Sequence, residues 1–483
     1  MTGFKFNTRA GWNRLLLAVT SLATLLGTFS AQADIAGISR LGGTPNFALT
    51  AREGYISVAD GGSVYSWGYS DGGINSGNNM QLPGPTLIVR EGAQVQVRLF
   101  NDLPTAAGNV SIVFPGQDVR SCRRADLDVN GSCLDGTLSG VTGNLTQEAQ
   151  AGGDVFYTFT AAQPGTYQYH SGTQSDLQVE MGLYGTLIVR PASWSAVNTI
   201  AYNHPDSAYD REYLYLLSEI DIDIHQAAEA QANGPGPIVM PSGAYQSEYW
   251  LMNGRAGPDT MAGDGTDFLP YQPYGSLTRM HPGEKLLVRV VGAGREMHPF
   301  HTHGNHVRLL ARDGRMLLTA PDPSNNATRL AGPLLFTIPS VPGGTADGIF
   351  EWTGKDLGWD MYGHVVPADP TLDPVPCVDN DGDGYDDDGL NGNDWEWCAD
   401  HGVPIPVTLP SLSSMAFGGF YSGSPFLGAL GSLPPGEGGL NPNAGFAYMW
   451  HSHTERELVN NDVFPGGMMT MLIVEAPNVT IND

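Results

Sequence analysis

The chain has 483 residues, a formal charge of −27, 41% hydrophobic residues, 63 glycines and 34 prolines. That length suits two or three domains, and the apolar content allows sizeable cores. The glycine and proline favour many short strands with tight turns over long helices. The acidic balance argues against nucleic acid or an anionic membrane surface as a partner.

Residues 1–33 read as a secretory signal. Lys5, Arg9 and Arg14 make a basic start, Leu15 to Phe29 is largely apolar, and Ala31-Gln32-Ala33 is a small-residue cleavage site. No twin-arginine pair is present, so ordinary unfolded export is expected. The apolar run is too short to span a bilayer comfortably, and no later stretch could span one. Cleavage removes three positive and no negative charges, taking the net from −27 to −30. A periplasmic or secreted, cell-surface location is expected. In that setting the four cysteines should pair, and Cys122 with Cys133 and Cys377 with Cys398 are the natural local partners.

Residues 34–82 carry strand-like pieces, Tyr55–Val58 and Ser63–Trp67. Residues 83–92 lead into Ala93–Phe100, where Val95, Val97 and Leu99 alternate with polar residues as in a half-buried strand. Within the first cysteine loop, Asp126-x-Asp128-x-Asn130-Gly131 lacks a downstream acidic closure and reads as an ordinary acidic turn. Tyr213–Ile224 reads as a strand and His225–Ala232 as a short helix. The second half then repeats the first. Gly92–Asn101 matches Gly283–Gly292, Tyr167–Ser171 matches Tyr448–Ser452, and Gly185–Val189 matches Thr470–Val474, in the same order. Two copies of one β-sandwich are inferred, 34–192 and 211–483, joined by a linker at 193–210. The second copy is longer because of an insertion at about 354–445.

That insertion holds Asp379, Asp381, Asp383 and Asp387 between Cys377 and Cys398. Alternate acidic residues followed by glycine wrap oxygens around a hard cation, so calcium is expected there. Position twelve is Leu390 rather than glutamate, so the loop is not a full EF-hand.

Histidine carries the strongest chemical signal. Met297–His306, MHPFHTHGNH, packs four of the twelve histidines into ten residues. On a strand, residues two apart share a face, so His301 and His303 can meet one metal. His451 and His453 form a second such pair. Neutral imidazole is the commonest protein ligand for copper and zinc. His306 falls on the opposite face if the strand continues. His204, His225, His281, His364 and His401 occur singly in polar contexts and read as surface or loop residues.

At these residues the chain resembles the multicopper oxidase family of the cupredoxin superfamily, over roughly 80–190 and 245–475. Pro83-Gly84-Pro85-Thr86 with the following strand is similar to the opening of the family's first domain. His298-Pro299-Phe300-His301-Thr302-His303-Gly304 is close to its H-P-x-H-x-H-G motif. Gly182-Leu183-Tyr184-Gly185 resembles its G-L-Y-G, and His451-Ser452-His453 sits where the family has H-C-H. The resemblance implies an all-β chain of two cupredoxin-like Greek-key sandwiches, with a disulfide-stapled acidic insertion in the second. Two-domain members form homotrimers with copper held between neighbouring subunits.

The departures shape the functional expectation. The cysteine of the thiolate-ligated blue copper is Ser452, and a histidine expected four residues past the H-C-H is Glu457. Of the blue centre's nitrogens only His298 remains, with Met468 or Met469 at the axial position. No blue centre should form without the thiolate. The first-domain H-W-H-G is Val113-Phe114-Pro115-Gly116, and the first-domain H-x-H is His170-Ser171-Gly172. His170, His301, His303, His451 and His453 are the matched cluster positions, with His298 and His306 as less favoured copper ligands. The expectation is a copper-dependent oxidoreductase with one or two coppers per chain in an all-histidine site, taking a small-molecule substrate or an external electron donor. Asp176, Glu180 and Glu457 are candidate proton donors by family proximity. The competing class is a non-catalytic copper-storage or cell-surface structural protein, and zinc in the same site is the weaker metal.

Overall fold

The computed structural model describes residues 35–134, 145–388, 395–405, 425–429 and 441–482. The signal read at 1–33 and Leu390 lie outside the described residues.

Alternation drives the first sandwich. In Gln94–Asn101, Val95, Val97 and Leu99 are buried while their neighbours are half exposed. This strand lies parallel to Asn46–Ser57 and antiparallel to Asp154–Thr160, in a five-stranded sheet completed by Ser63–Asp71 and Arg120–Cys122. Facing it is a four-stranded sheet of Ile38–Arg40, Leu87–Arg90, Tyr184–Arg190 and Gly165–His170. Trp67, Tyr69, Tyr157, Tyr169 and Leu187 fill the space between.

The second sandwich repeats those neighbours. Lys285–Gly292 lies parallel to Arg211–Ile220 and antiparallel to Thr345–Glu351 in a seven-stranded sheet. The opposing five-stranded sheet runs Thr278–Met280, Met469–Val474, Phe446–Ser452, His298–Thr302 and Thr337–Ser340. Phe300 and Trp450, both fully buried, project from this sheet against Tyr215 and Phe350. Burying each such ring is worth about 2–3 kcal/mol, so these two residues anchor their strands in one orientation.

The sandwiches meet through buried charge. Glu212 pairs with Arg190 and lies 3.0 Å from Arg289, which lies 3.6 Å from Asp347; Thr166 donates to Asp347 at 2.7 Å. Disulfides join Cys122 to Cys133 and Cys377 to Cys398. Among the described residues no helix is long and apolar enough to cross a membrane.

One expected boundary moves. The strand read as Tyr213–Ile224 is Arg211–Ile220, and the helix read as His225–Ala232 is Ile222–Gln231. Asp221 makes the difference. Its carboxylate accepts the backbone N–H groups of Asp223 and Ile224, capping a helix that the Ile-Asp alternation hides.

Candidate metal centre

Two neighbouring strands place the histidines. His298–Thr302 runs antiparallel to Phe446–Ser452, with Phe300 opposite Ser452 and His301 opposite His451. Directly opposed residues point to the same side of a sheet. With Phe300 and Trp450 turned into the core, His301 and His451 must turn outward. His303 and His453 follow two residues later.

On that outer face His301, His303 and His451 bring one ring nitrogen each to within 4.8 Å of the others. The Nε2 atoms of His303 and His451 are 3.2 Å apart. His301 Nδ1 is hydrogen-bonded to Thr337 Oγ1 at 2.8 Å, and His451 Nδ1 to the carbonyl of Ser452 at 2.6 Å. These contacts orient both rings and leave Nε2 as the nitrogen available to a metal. His453 is more exposed, with its ring 4.8 Å from that of His301. Burial, helped by His451 and His453, pushes the His301 imidazole down to about 4. Burial likewise lowers His451. His301 and His451 therefore disfavour the protonated form, as metal-binding imidazoles require.

The site opens on a cavity of about 880 Å³ lined by His301, His303 and Tyr448, and by Asp383, Tyr385 and Trp395 of the insertion.

His298 sits on the other face. It is fully buried, and its two nitrogens lie 2.9 Å from Glu219 Oε2 and 2.9 Å from Glu457 Oε2. Burial alone would lower its pKa, but hydrogen bonds to both carboxylates raise it to about 9. A doubly donating imidazolium has no lone pair for a metal. Both His298 nitrogens thus face carboxylates, with Glu457 as one of the two partners. His306 lies beyond the strand end, exposed and edge-on to Phe336; it does not join the three.

His170 stands apart from the trio within the chain. Its Nδ1 bonds the carbonyl of Ser171, burial lowers its pKa, and it lines a separate cavity with Asp176 and Arg295. Glu180 is buried, and desolvation raises its carboxyl to about 8.

The family match falls on the first sandwich, outside the strands that carry the trio. Residues 73–193 match the multicopper oxidase family model. Over that stretch the chain is similar to the multicopper oxidase family. It is 26% identical over 280 residues to a probable nitrite reductase–hydroxylamine oxidoreductase fusion protein of Kuenenia stuttgartiensis, covering 56% of this chain and 26% of that one. It is 29% identical over 181 residues to laccase 1 of Metarhizium acridum, covering 37% and 24%. The chain thus spans about a quarter of the length of these curated relatives. A blue copper oxidase structure from Nitrosomonas europaea aligns at TM-score 0.48 and 17% identity, over 89% of this chain and 86% of that one.

Against the H-C-H motif that the chain resembles, the interior side of the centre departs. The H-C-H cysteine position is Ser452, fully buried, and no described cysteine is free. On that side the chain has the ion-paired set Glu219, His298 and Glu457.

The insertion contains what the sequence reading missed. Asp379, Asp381 and Asp387 converge, but Asp383 does not join them; its carboxylate takes the N–H of Tyr385. His364 and His401, expected as scattered surface residues, lie together with ring centres 5.1 Å apart. His225, also expected at the surface, is buried against the carbonyls of Tyr65 and Glu180. The i, i+4 pair Asp360 and His364 was the available local signal. Glu396 and His401 lie more than thirty residues away from it.

Proposed function

We propose that the chain is an exported copper-dependent oxidoreductase whose copper is held by histidine alone. The observation that carries this reading is the gathering of His301, His303 and His451 on one sheet face, with burial lowering the His301 and His451 pKa values and an open cavity in front. Three imidazole nitrogens suit copper, and bound copper would supply one-electron chemistry at a position open to a small molecule. Thr337 and the Ser452 carbonyl hold two of the rings in place. His453, at the rim, and the separately placed His170 complete the ligand set in this reading. His170 would come from a neighbouring copy in a homotrimer, since it lines its own cavity within the chain. One or two coppers per chain follow. With no thiolate centre to pass electrons inward, the donor must be external.

The same reading places sandwich boundaries at 34–192 and 211–483, with a linker at 193–210. It also assigns calcium to Asp379, Asp381 and Asp387, supported by their convergence. A calcium titration followed by calorimetry checks that assignment, and unchanged stability with calcium removes it.

The deciding experiment is metal analysis with optical and paramagnetic-resonance spectra on the copper-loaded mature chain. One or two coppers, no intense thiolate band, and metal loss in the His301→Ala/His451→Ala variant are expected. Turnover with added donors and dioxygen, peroxide or nitrite then tests catalysis. Copper bound without turnover of any of these would favour the storage reading, for which the absent thiolate is the supporting feature.

A further inference from the structure

Within the insertion, four side chains from two separate turns converge. Asp360 and His364 lie on one turn, and Glu396 and His401 flank Cys398 on the other. One ligand atom from each lies within 4.8 Å of the rest. His364 Nδ1 is 3.1 Å from Asp360 Oδ2 and 3.4 Å from Glu396 Oε1. His401 Nδ1 is 2.8 Å from Glu396 Oε1 and 3.9 Å from Asp360 Oδ2. A tetrahedral zinc site with bonds of about 2.0–2.1 Å has ligand-to-ligand edges of about 3.3 Å, and these four separations straddle that value.

We propose that Asp360, His364, Glu396 and His401 hold one zinc ion, as a structural site distinct from the histidine trio.

Charge, ring orientation and the make-up of the segment support it. The first is charge. Both carboxylates are about 1% exposed, and buried carboxylates are costly unless neutralised. A divalent cation between them neutralises both. The second is orientation. His401 Nε2 lies 2.9 Å from Asp373 Oδ2, so the carboxylate holds the proton on Nε2 and leaves Nδ1 turned to the cluster. That carboxylate–histidine relay is the usual support for a metal-ligating ring. Asp360 is likewise held, its carboxylate accepting backbone N–H groups from Tyr362, Gly363, His364 and Gly402. The third is the segment itself. It has few described strands or helices and is already closed by Cys377–Cys398, and small coreless units are commonly stapled by disulfides and metals together. The donor set of two imidazoles and two carboxylates suits zinc, while copper is better served by the all-nitrogen trio.

The ion would tie the Asp360–His364 turn to the Glu396–His401 turn. Asp356, Leu357 and Trp395, which line the cavity beside His301 and His303, are close in sequence to those turns.

The test loads the full mature chain with zinc and, separately, with cobalt(II) as a spectroscopic probe. One zinc per chain and visible cobalt bands of a tetrahedral site are expected, and both should persist in His301→Ala/His451→Ala. Both should vanish in His364→Ala/His401→Ala. Asp373→Asn, a gentler change, should weaken zinc binding about 10- to 100-fold while the disulfide stays formed. Equal zinc in every variant, zinc lost only with the trio, or no zinc in the wild-type chain overturns the proposal. If the double alanine variant does not fold, the cobalt spectrum of His301→Ala/His451→Ala and the affinity of Asp373→Asn still decide. The outcome does not depend on whether the trio binds copper.

Discussion

On the strand His298–Thr302, two histidines three residues apart live in opposite electrical surroundings. His301 faces outward among other imidazoles, and burial with like neighbours pushes it down to about 4. His298 faces inward between Glu219 and Glu457, which raise it to about 9 despite burial. The outer ring is kept neutral with a nitrogen to offer. The inner ring is kept charged with both nitrogens spent. Burial acts in the same direction on both, so the sign is set by the partner: carboxylates on one side, imidazoles on the other. In the proposed function, chemistry belongs to the outer face and stability to the inner one.

The largest expected effect breaks the inner side. His298→Ala leaves Glu219 and Glu457 facing each other in the core and should cost about 3–5 kcal/mol in urea unfolding, with copper still bound by the trio. Adding Glu457→Gln to that variant should recover part of the loss. A stability loss under 1 kcal/mol would show that the inner triad is not the ion-paired unit described, on the scale of buried pairs.

The next effect is pH dependence. His298 has its folded pKa raised from 6.5 to about 9, so its contribution is fully present below pH 6.5 and is lost as pH rises through 9. Unfolding stability of the apo chain should therefore fall across pH 6.5–9, and this slope should disappear in His298→Ala. A slope that survives in the variant would assign it to another group.

The smallest effect sharpens the outer side. Thr337→Val removes the hydroxyl that orients His301 and should weaken copper binding about tenfold without changing unfolding by more than about 1 kcal/mol. Isothermal titration with copper checks it. Unchanged affinity would mean that the ring is held by packing alone.

Much of this was legible in the sequence. A period of two puts His301 and His303 on one face, and the same count puts His298 on the other with Phe300. The repeat of Gly92–Asn101 in Gly283–Gly292 is visible as equivalent strands with equivalent neighbours. The cysteine pairs are close along the chain and closed as local loops. Local spacing is enough for such features because strand geometry and short-loop closure are local properties. The capped helix at Ile222–Gln231 shows the limit even locally, since one N-cap aspartate overrode a strand-like alternation.

What the tertiary structure decided is where side chains distant in sequence meet. Glu219 reaches His298 from another sheet, and Glu457 reaches it from the 3-10 helix Glu455–Leu458 after Phe446–Ser452. Asp360 and His364 find Glu396 and His401 across a disulfide-closed loop. His170 stays in its own cavity, apart from the three histidines it resembles in sequence. No periodicity encodes these meetings. They follow from how sheets stack and loops close, and that packing sets whether a histidine becomes a ligand or an ion pair.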